Sequence, residues 1–168
     1  MKSIVNDKMK IGSMKHITKK IKLESIEDPE YFFVPLSQHI GQISKETVKV
    51  GDFVKRYEKI GEIKGGLSAC IHSPISGTVE DIVENPIANG NIVKTIKIKN
   101  DFEYNKIELV KRKIDELDKY SKDEIITVIK ESGIVGEGGA QFPTYIKYGI
   151  GDKKVETLII NGAECEPY

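Results

Sequence analysis

The chain has 168 residues, and its 26 basic residues (Lys and Arg) balance its 26 acidic residues (Asp and Glu), so the formal net charge is zero. This balance argues against a general nucleic-acid binder, which would carry a basic excess. No apolar stretch approaches the roughly 20 residues that a membrane-spanning helix needs. The chain has two cysteines and no CxxC motif, which predicts reduced thiols in a cytoplasmic protein and no iron–sulfur cluster or four-cysteine zinc site in these residues.

Short predicted strands dominate the first part of the chain. Residues 1–30 are Lys-rich, weakly patterned and predicted to form an N-terminal arm. Residues 31–100 alternate short apolar runs with Gly and Pro, which is typical of a small all-β domain. The predicted strands lie within residues 31–36, 48–55, 59–63, 70–83 and 92–99. The side chains of Tyr31, Phe32 and Phe33 are predicted to lie in the core.

A linker and a capped helix follow. Residues 101–120 are highly charged and are predicted to be a linker that leads into the helix. Ser121 is a plausible N-cap, and Glu124 three residues later completes a capping-box pattern. Apolar residues then recur at helical spacing to about Ser132. Gly133, just past the last of them, is placed as a C-cap glycine.

The helix leads into a glycine-rich loop, Gly133-Ile-Val-Gly-Glu-Gly-Gly-Ala-Gln-Phe-Pro-Thr144. Glycines at this density allow the backbone to approach another group closely. Phe142-Pro143 is predicted to open a short helix, since Pro suits the first helical turn. A glycine loop that leads into a helix N-terminus presents free N–H groups, and this arrangement favours a phosphate.

A second polar cluster ends the sequence. Residues 158–160 form a short apolar run, predicted to be a buried strand, and Asn161-Gly-Ala-Glu-Cys-Glu-Pro-Tyr168 follows it. Polar residues just past the carboxyl end of a buried strand lie where open α/β sheets bind ligands. The sequence therefore predicts that the glycine loop and this cluster contribute to one ligand site.

Residues 48–79 resemble the barrel-sandwich hybrid of biotinyl and lipoyl domains. The resemblance is carried by Val48-Lys-Val-Gly-Asp-Phe-Val54, Ile60-Gly-Glu-Ile63 and Ile71-His-Ser-Pro-Ile-Ser-Gly-Thr-Val79. At the hairpin where those domains carry their modified lysine, this chain has Lys64-Gly-Gly-Leu-Ser-Ala69, without a Met-Lys-Met motif. The resemblance thus implies the fold, and we do not expect the carrier function.

Three motifs together resemble the RnfC subunit of the Rnf electron-transport complex. They are Pro35-Leu-Ser-Gln-His-Ile-Gly41, the glycine loop and residues 161–168. The last two are also similar to the flavin site of the peripheral flavin-carrying subunit of respiratory complex I. The expected fold class is α+β: an N-terminal barrel-sandwich hybrid, followed over residues 121–168 by the start of an α/β FMN-binding domain.

The resemblance implies a set of cofactor-binding residues, with FMN and NAD(H) as the cofactors. They are Gly136, Gly138, Gly139, Ala140 and Phe142 of the loop, Lys147 of the following helix, and Asn161, Glu164 and Glu166. Ala163 and Cys165 depart from the complex I pattern but agree with the Rnf pattern. No residue is assigned a catalytic or metal-binding role, and His39 and His72 are predicted to be hydrogen-bonded turn histidines.

The resemblance leaves two branches open. The segment Gly66-Leu-Ser-Ala-Cys-Ile-His-Ser73 is similar to a clostridial electron-transfer protein associated with D-proline reductase, and this branch is slightly favoured over Rnf. The implied partners are accordingly the Rnf membrane subunits or proline reductase, together with NADH, and the implied location is cytoplasmic, at the inner face of the membrane.

The expected role is that of an N-terminal fragment of an electron-transfer flavoprotein subunit. Members of the family continue past this motif into the rest of the flavin domain and a module with [4Fe-4S] clusters, so we expect this chain to carry only the first part of the site. The alternative is a non-catalytic docking module that binds no cofactor.

Overall fold

A computed structural model describes residues 14–151 and 153–160. Residues Pro29–Lys153 form one compact unit, and the described residues on either side of it, 14–28 and 154–160, belong to another. The first unit contains every described strand and every described helix except the one at Lys15–Thr18.

The strands are β1 (Tyr31–Pro35), β2 (Lys45–Glu46), β3 (Phe53–Val54), β4 (Lys59–Glu62), β5 (Ile71–His72), β6 (Gly77–Pro86) and β7 (Ile92–Asn100). The helices are α1 (Lys15–Thr18), a 3₁₀ helix (Ile114–Lys119), α2 (Lys122–Glu131) and α3 (Thr144–Tyr148). The strands form a four-stranded sheet in the order β1-β7-β6-β3 and a three-stranded sheet in the order β2-β4-β5. All of the strand pairings are antiparallel.

The core lies between these two sheets and contains side chains from both. Ile96 and Ile98 of β7 are fully buried, as the alternating pattern of that strand predicts. The other members of the core are Val34, Leu36, Val54, Ile60, Ile71, Ile75 and Val79. This arrangement of curled antiparallel sheets, followed by the capped helix and the glycine loop, confirms the predicted fold class.

The prediction that Tyr31, Phe32 and Phe33 are all core residues is wrong for Phe33, which is 48% exposed. Successive side chains of a strand point to opposite faces of the sheet. In β1, Val34 is buried and Phe32 packs against the core, so Phe33 between them lies on the outer face.

Helix α2 forms as its local sequence predicts. The Ser121 side chain accepts a hydrogen bond from the backbone of Glu124, and the Glu124 side chain accepts one from the backbone of Ser121, which completes the capping box. Gly133 has φ +65°, the left-handed conformation that ends many helices. Residues 101–113 contain no helix or strand, and the 3₁₀ helix leads from them to Ser121.

The apolar run at Leu158–Ile160 is not a strand, so that prediction is wrong. The three side chains are 66%, 86% and 80% exposed. A strand forms only where a neighbouring strand accepts its backbone hydrogen bonds, and no described strand pairs with this segment. The predicted helix after Phe142 does form, as α3, with Pro143 at the N-cap position.

Candidate cofactor site

The glycine loop is closed at its base by backbone contacts. Gly136 N–H donates to Phe142 O at 2.9 Å, and Val135 and Pro143 form an antiparallel bridge. Within the loop, Gln141 N–H donates to Gly138 O at 2.9 Å. These bonds hold residues 135–143 as a compact turn between α2 and α3.

Helix α3 places a cation beside the loop. A Cβ atom built on Gly136 would lie 2.6 Å from Lys147 Nζ, so the missing side chain leaves room for the ammonium group. Lys147 Nζ also lies 5.9 Å from the centroid of the Phe142 ring. The structure thus brings together three of the predicted site residues, Gly136, Phe142 and Lys147.

The outer part of the loop is open. No atom lies within 4 Å of a Cβ built on Gly138 or Gly139. Residues 137–141 are exposed, and Gly136 before them is half-buried. Within the part of the chain that the structure describes, the N–H groups of residues 137–140 have no hydrogen-bond acceptor. These donors are therefore available to a ligand or to water.

The remaining predicted site residues, Asn161, Glu164 and Glu166, lie outside the described residues. The first half of the predicted site can therefore be built from contacts, and the second half remains a prediction from the sequence.

The barrel-sandwich sheets contact this region at several points. Ile40 N–H donates to Ala140 O at 3.1 Å. A Cβ atom on Gly133 would lie 2.2 Å from Cys70 O, so the end of α2 passes directly over β5. A groove of about 580 Å³ lies between the segment that follows β1, the β6–β7 turn and the glycine loop, and Ile40, Asn89 and Gly139 are among its lining residues.

Two titratable groups are buried under the end of α2. Burial, followed by the charge of Glu131, raises the pKa of the Cys70 thiol above its ordinary value. Burial, followed by the charge of Lys59, lowers the pKa of His72. Both shifts favour the neutral form, so Cys70 is a poorly reactive thiol and His72 an uncharged imidazole at neutral pH.

His39 is hydrogen-bonded within a turn, as predicted, through Ala69 N at 3.1 Å and Ile40 O at 3.2 Å. In the described ranges, no three His, Cys, Asp or Glu side chains are grouped so that they could hold a metal ion. The same ranges contain no helix that is long and apolar enough to cross a membrane.

Two family models match the chain. The model for the RnfC barrel sandwich hybrid domain matches residues 6–103, which is more than half of the chain. The chain belongs to the RnfC family. The model for the Nuo51 FMN-binding domain matches residues 129–168, which include the glycine loop, Lys147 and the polar cluster at 161–168.

Curated members of the RnfC family show the same relationship. The chain is 37% identical over 155 residues to the RnfC subunit of the Na⁺-translocating ferredoxin:NAD⁺ oxidoreductase complex of Acetobacterium woodii, covering 92% of this chain and 35% of the relative. It is 40% identical over 157 residues to the RnfC subunit of the ion-translocating oxidoreductase complex of Rhodobacter capsulatus, covering 92% and 30%. The chain therefore spans about a third of the length of these relatives.

Sequence reasoning missed the residues that join the glycine-loop region to the sheets. Lys59 and Glu131 form an ion pair of 2.7 Å, and they are 72 positions apart. The His39 contact with Ala69 spans 30 positions. Only the second had a signal, because His39 lies in the motif at residues 35–41 that carries part of the family resemblance.

Proposed function

We propose that this chain is part of an electron-transfer flavoprotein subunit of an Rnf-type complex, and that residues 136–140 and Lys147 bind FMN. The observation that carries the proposal is the open glycine loop, whose N–H groups at 137–140 have no acceptor among the described residues, next to the Lys147 ammonium. A purely structural turn would not require this combination of exposed donors, absent side chains and a cation.

The described half of the site fits FMN. The cofactor has a phosphate, a polyhydroxyl chain and a flat apolar ring, and when bound it supplies the exchange between two-electron and one-electron transfer. Free backbone N–H groups and an ammonium suit the phosphate or another electron-rich edge. Phe142 offers an apolar surface, and its ring is partly exposed. Asn161, Glu164 and Glu166 are proposed to bind the remaining polar groups.

The donor, acceptor and partners extend this proposal. The relatives named above are subunits of ferredoxin:NAD⁺ or ion-translocating oxidoreductase complexes, which supports NAD(H) as a redox partner and the other Rnf subunits as binding partners. These names favour the Rnf branch over the proline-reductase branch. We further propose a peripheral position at the cytoplasmic face of a membrane complex, and electron transfer onward to [4Fe-4S] clusters of the full subunit.

Titration of FMN with the purified chain tests the proposal. Saturable quenching of flavin fluorescence is expected. The Gly139→Asp variant should abolish it, because the added carboxylate would stand in the open loop and repel a phosphate. The Asn105→Asp variant is the matched control, since it also adds one carboxylate at an exposed position, on the linker. Absence of binding by the wild-type chain up to about 1 mM FMN would favour the docking-module alternative for this chain.

A further inference from the structure

The motif at residues 35–41 has no role in the proposed cofactor chemistry. It follows β1 and leads to β2, and its last residues lie between the segment 67–69 and the glycine loop. Its side chains therefore have to be explained by what they hold in place.

His39 fixes this segment to the sheet domain. Its Nε2 atom lies 3.1 Å from Ala69 N, and because a backbone N–H can only donate, Nε2 must be the acceptor. The other ring nitrogen, Nδ1, then carries the hydrogen and donates to Ile40 O at 3.2 Å. The half-buried imidazole thus connects the buried residue Ala69 to the peptide of its own neighbour.

A second anchor follows along the chain. Gln42 N–H donates to Leu67 O at 2.7 Å. Gly41 has φ +110°, and a Cβ atom there would lie 2.2 Å from Leu67 O. Glycine is therefore needed for the close approach of the two segments. Residues 39–42 are held at both ends, with Ile40 between the anchors.

Ile40 in turn holds the glycine loop, through its N–H bond to Ala140 O at 3.1 Å. Among the described residues, this is the only hydrogen bond from residues 29–100 to residues 136–141. The other bonds of the loop are local and join it to residues 134–144. They fix the shape of the loop but not its position on the sheet domain.

We propose that His39 is a positioning residue for the cofactor loop, acting through the Ile40 peptide on Ala140. It does not touch the cofactor. It fixes the place at which the loop presents its free N–H groups. The inference rests on the proposed function for its effect on FMN, but its effect on the Ile40–Ala140 bond can be measured without any cofactor.

The first experiment follows amide hydrogen exchange of the whole chain by NMR. In the His39→Ala variant, the Ile40 amide should exchange about tenfold faster than in the wild type, because the Ile40 peptide is no longer held against its acceptor. The core amides of Ile96 and Ile98 should be unchanged. His16→Ala is the matched control, since His16 is an exposed histidine of α1 outside the sheet unit. Unchanged exchange of the Ile40 amide in His39→Ala would overturn the proposal.

The second experiment measures FMN affinity by fluorescence titration. His39→Ala should weaken binding about tenfold. His39→Gln should restore it to within about threefold, since its side-chain oxygen can accept from Ala69 N–H. His39→Asn, which can only imitate Nδ1, should not restore it. Equal affinities for the Gln and Asn variants would contradict the proposal, also where the Ala variant fails to fold. If the wild type binds no FMN, the proposed function fails for this chain, and the exchange data still decide the role of His39.

Discussion

Lys59 of β4 and Glu131 at the end of α2 form an ion pair, with 2.7 Å between Lys59 Nζ and Glu131 Oε2. It joins the three-stranded sheet to the helix that leads into the glycine loop. The hydrogen bond to its partner lowers the pKa of Glu131 and raises the pKa of Lys59. Both side chains are also more than a third exposed, at 38% for Lys59 and 52% for Glu131, so solvent weakens the attraction.

The pair is expected to contribute modestly to stability. A double-mutant cycle with Lys59→Met and Glu131→Gln should give a coupling of about 0.2–1 kcal/mol in the free energy of unfolding by urea. The Glu131 contribution is present above its ordinary pKa of 4.5 and is lost as the pH falls through its lower folded value. A coupling that persists unchanged at pH values where Glu131 is protonated would contradict this account.

His72 should make the protein less stable in mild acid. Its pKa is lowered by burial and then by Lys59, so the folded state disfavours the charged imidazole. Stability from this group is present above the ordinary pKa of 6.5 and is lost as the pH falls below it towards the folded value. Urea unfolding between pH 7 and about pH 5 should show a steeper loss in the wild type than in His72→Gln. Parallel curves would show that His72 does not titrate differently in the two states.

The local features of this fold could be predicted from the sequence. The capping box at Ser121 and Glu124 and the left-handed Gly133 depend on residues a few positions apart, so their pattern is complete in the sequence. The alternation in β7 similarly indicates which face is buried. Phe33 was harder, because three consecutive aromatic residues in β1 leave the choice of face to the neighbouring sheet.

The contacts that position the candidate site could not be predicted in this way. The bonds Lys59–Glu131 and Ile40–Ala140 join residues 72 and 100 positions apart, and no periodicity encodes such a pair. The predicted strand at Leu158–Ile160 failed for a related reason, since a strand depends on a neighbour that local sequence does not reveal. The glycine loop itself could be found because its motif recurs in a known family.

Two glycines near the site should respond oppositely to substitution. Gly133→Ala places a Cβ 2.2 Å from Cys70 O at φ +65°, so the free energy of unfolding should fall by roughly 2–4 kcal/mol. Gly138→Ala meets no atom within 4 Å and should change it by less than about 0.5 kcal/mol. The proposed site requires that Gly138→Ala nevertheless weakens FMN binding, because the methyl group would stand where the cofactor approaches the loop. Urea unfolding and fluorescence titration of both variants measure the two effects separately.

Lys147 should contribute to cofactor affinity through its charge. Lys147→Gln removes the ammonium beside Gly136, and FMN binding should weaken about tenfold, as expected for the loss of one charge-assisted contact to an anion. The weakening should diminish at high salt, because salt screens the charge in the wild type. Lys64→Gln is the matched control, since Lys64 is an exposed lysine on the hairpin that carries the modified lysine in biotinyl and lipoyl domains. Its affinity should stay within about twofold of the wild type. Equal effects of the two substitutions would indicate a general charge effect and remove Lys147 from the site.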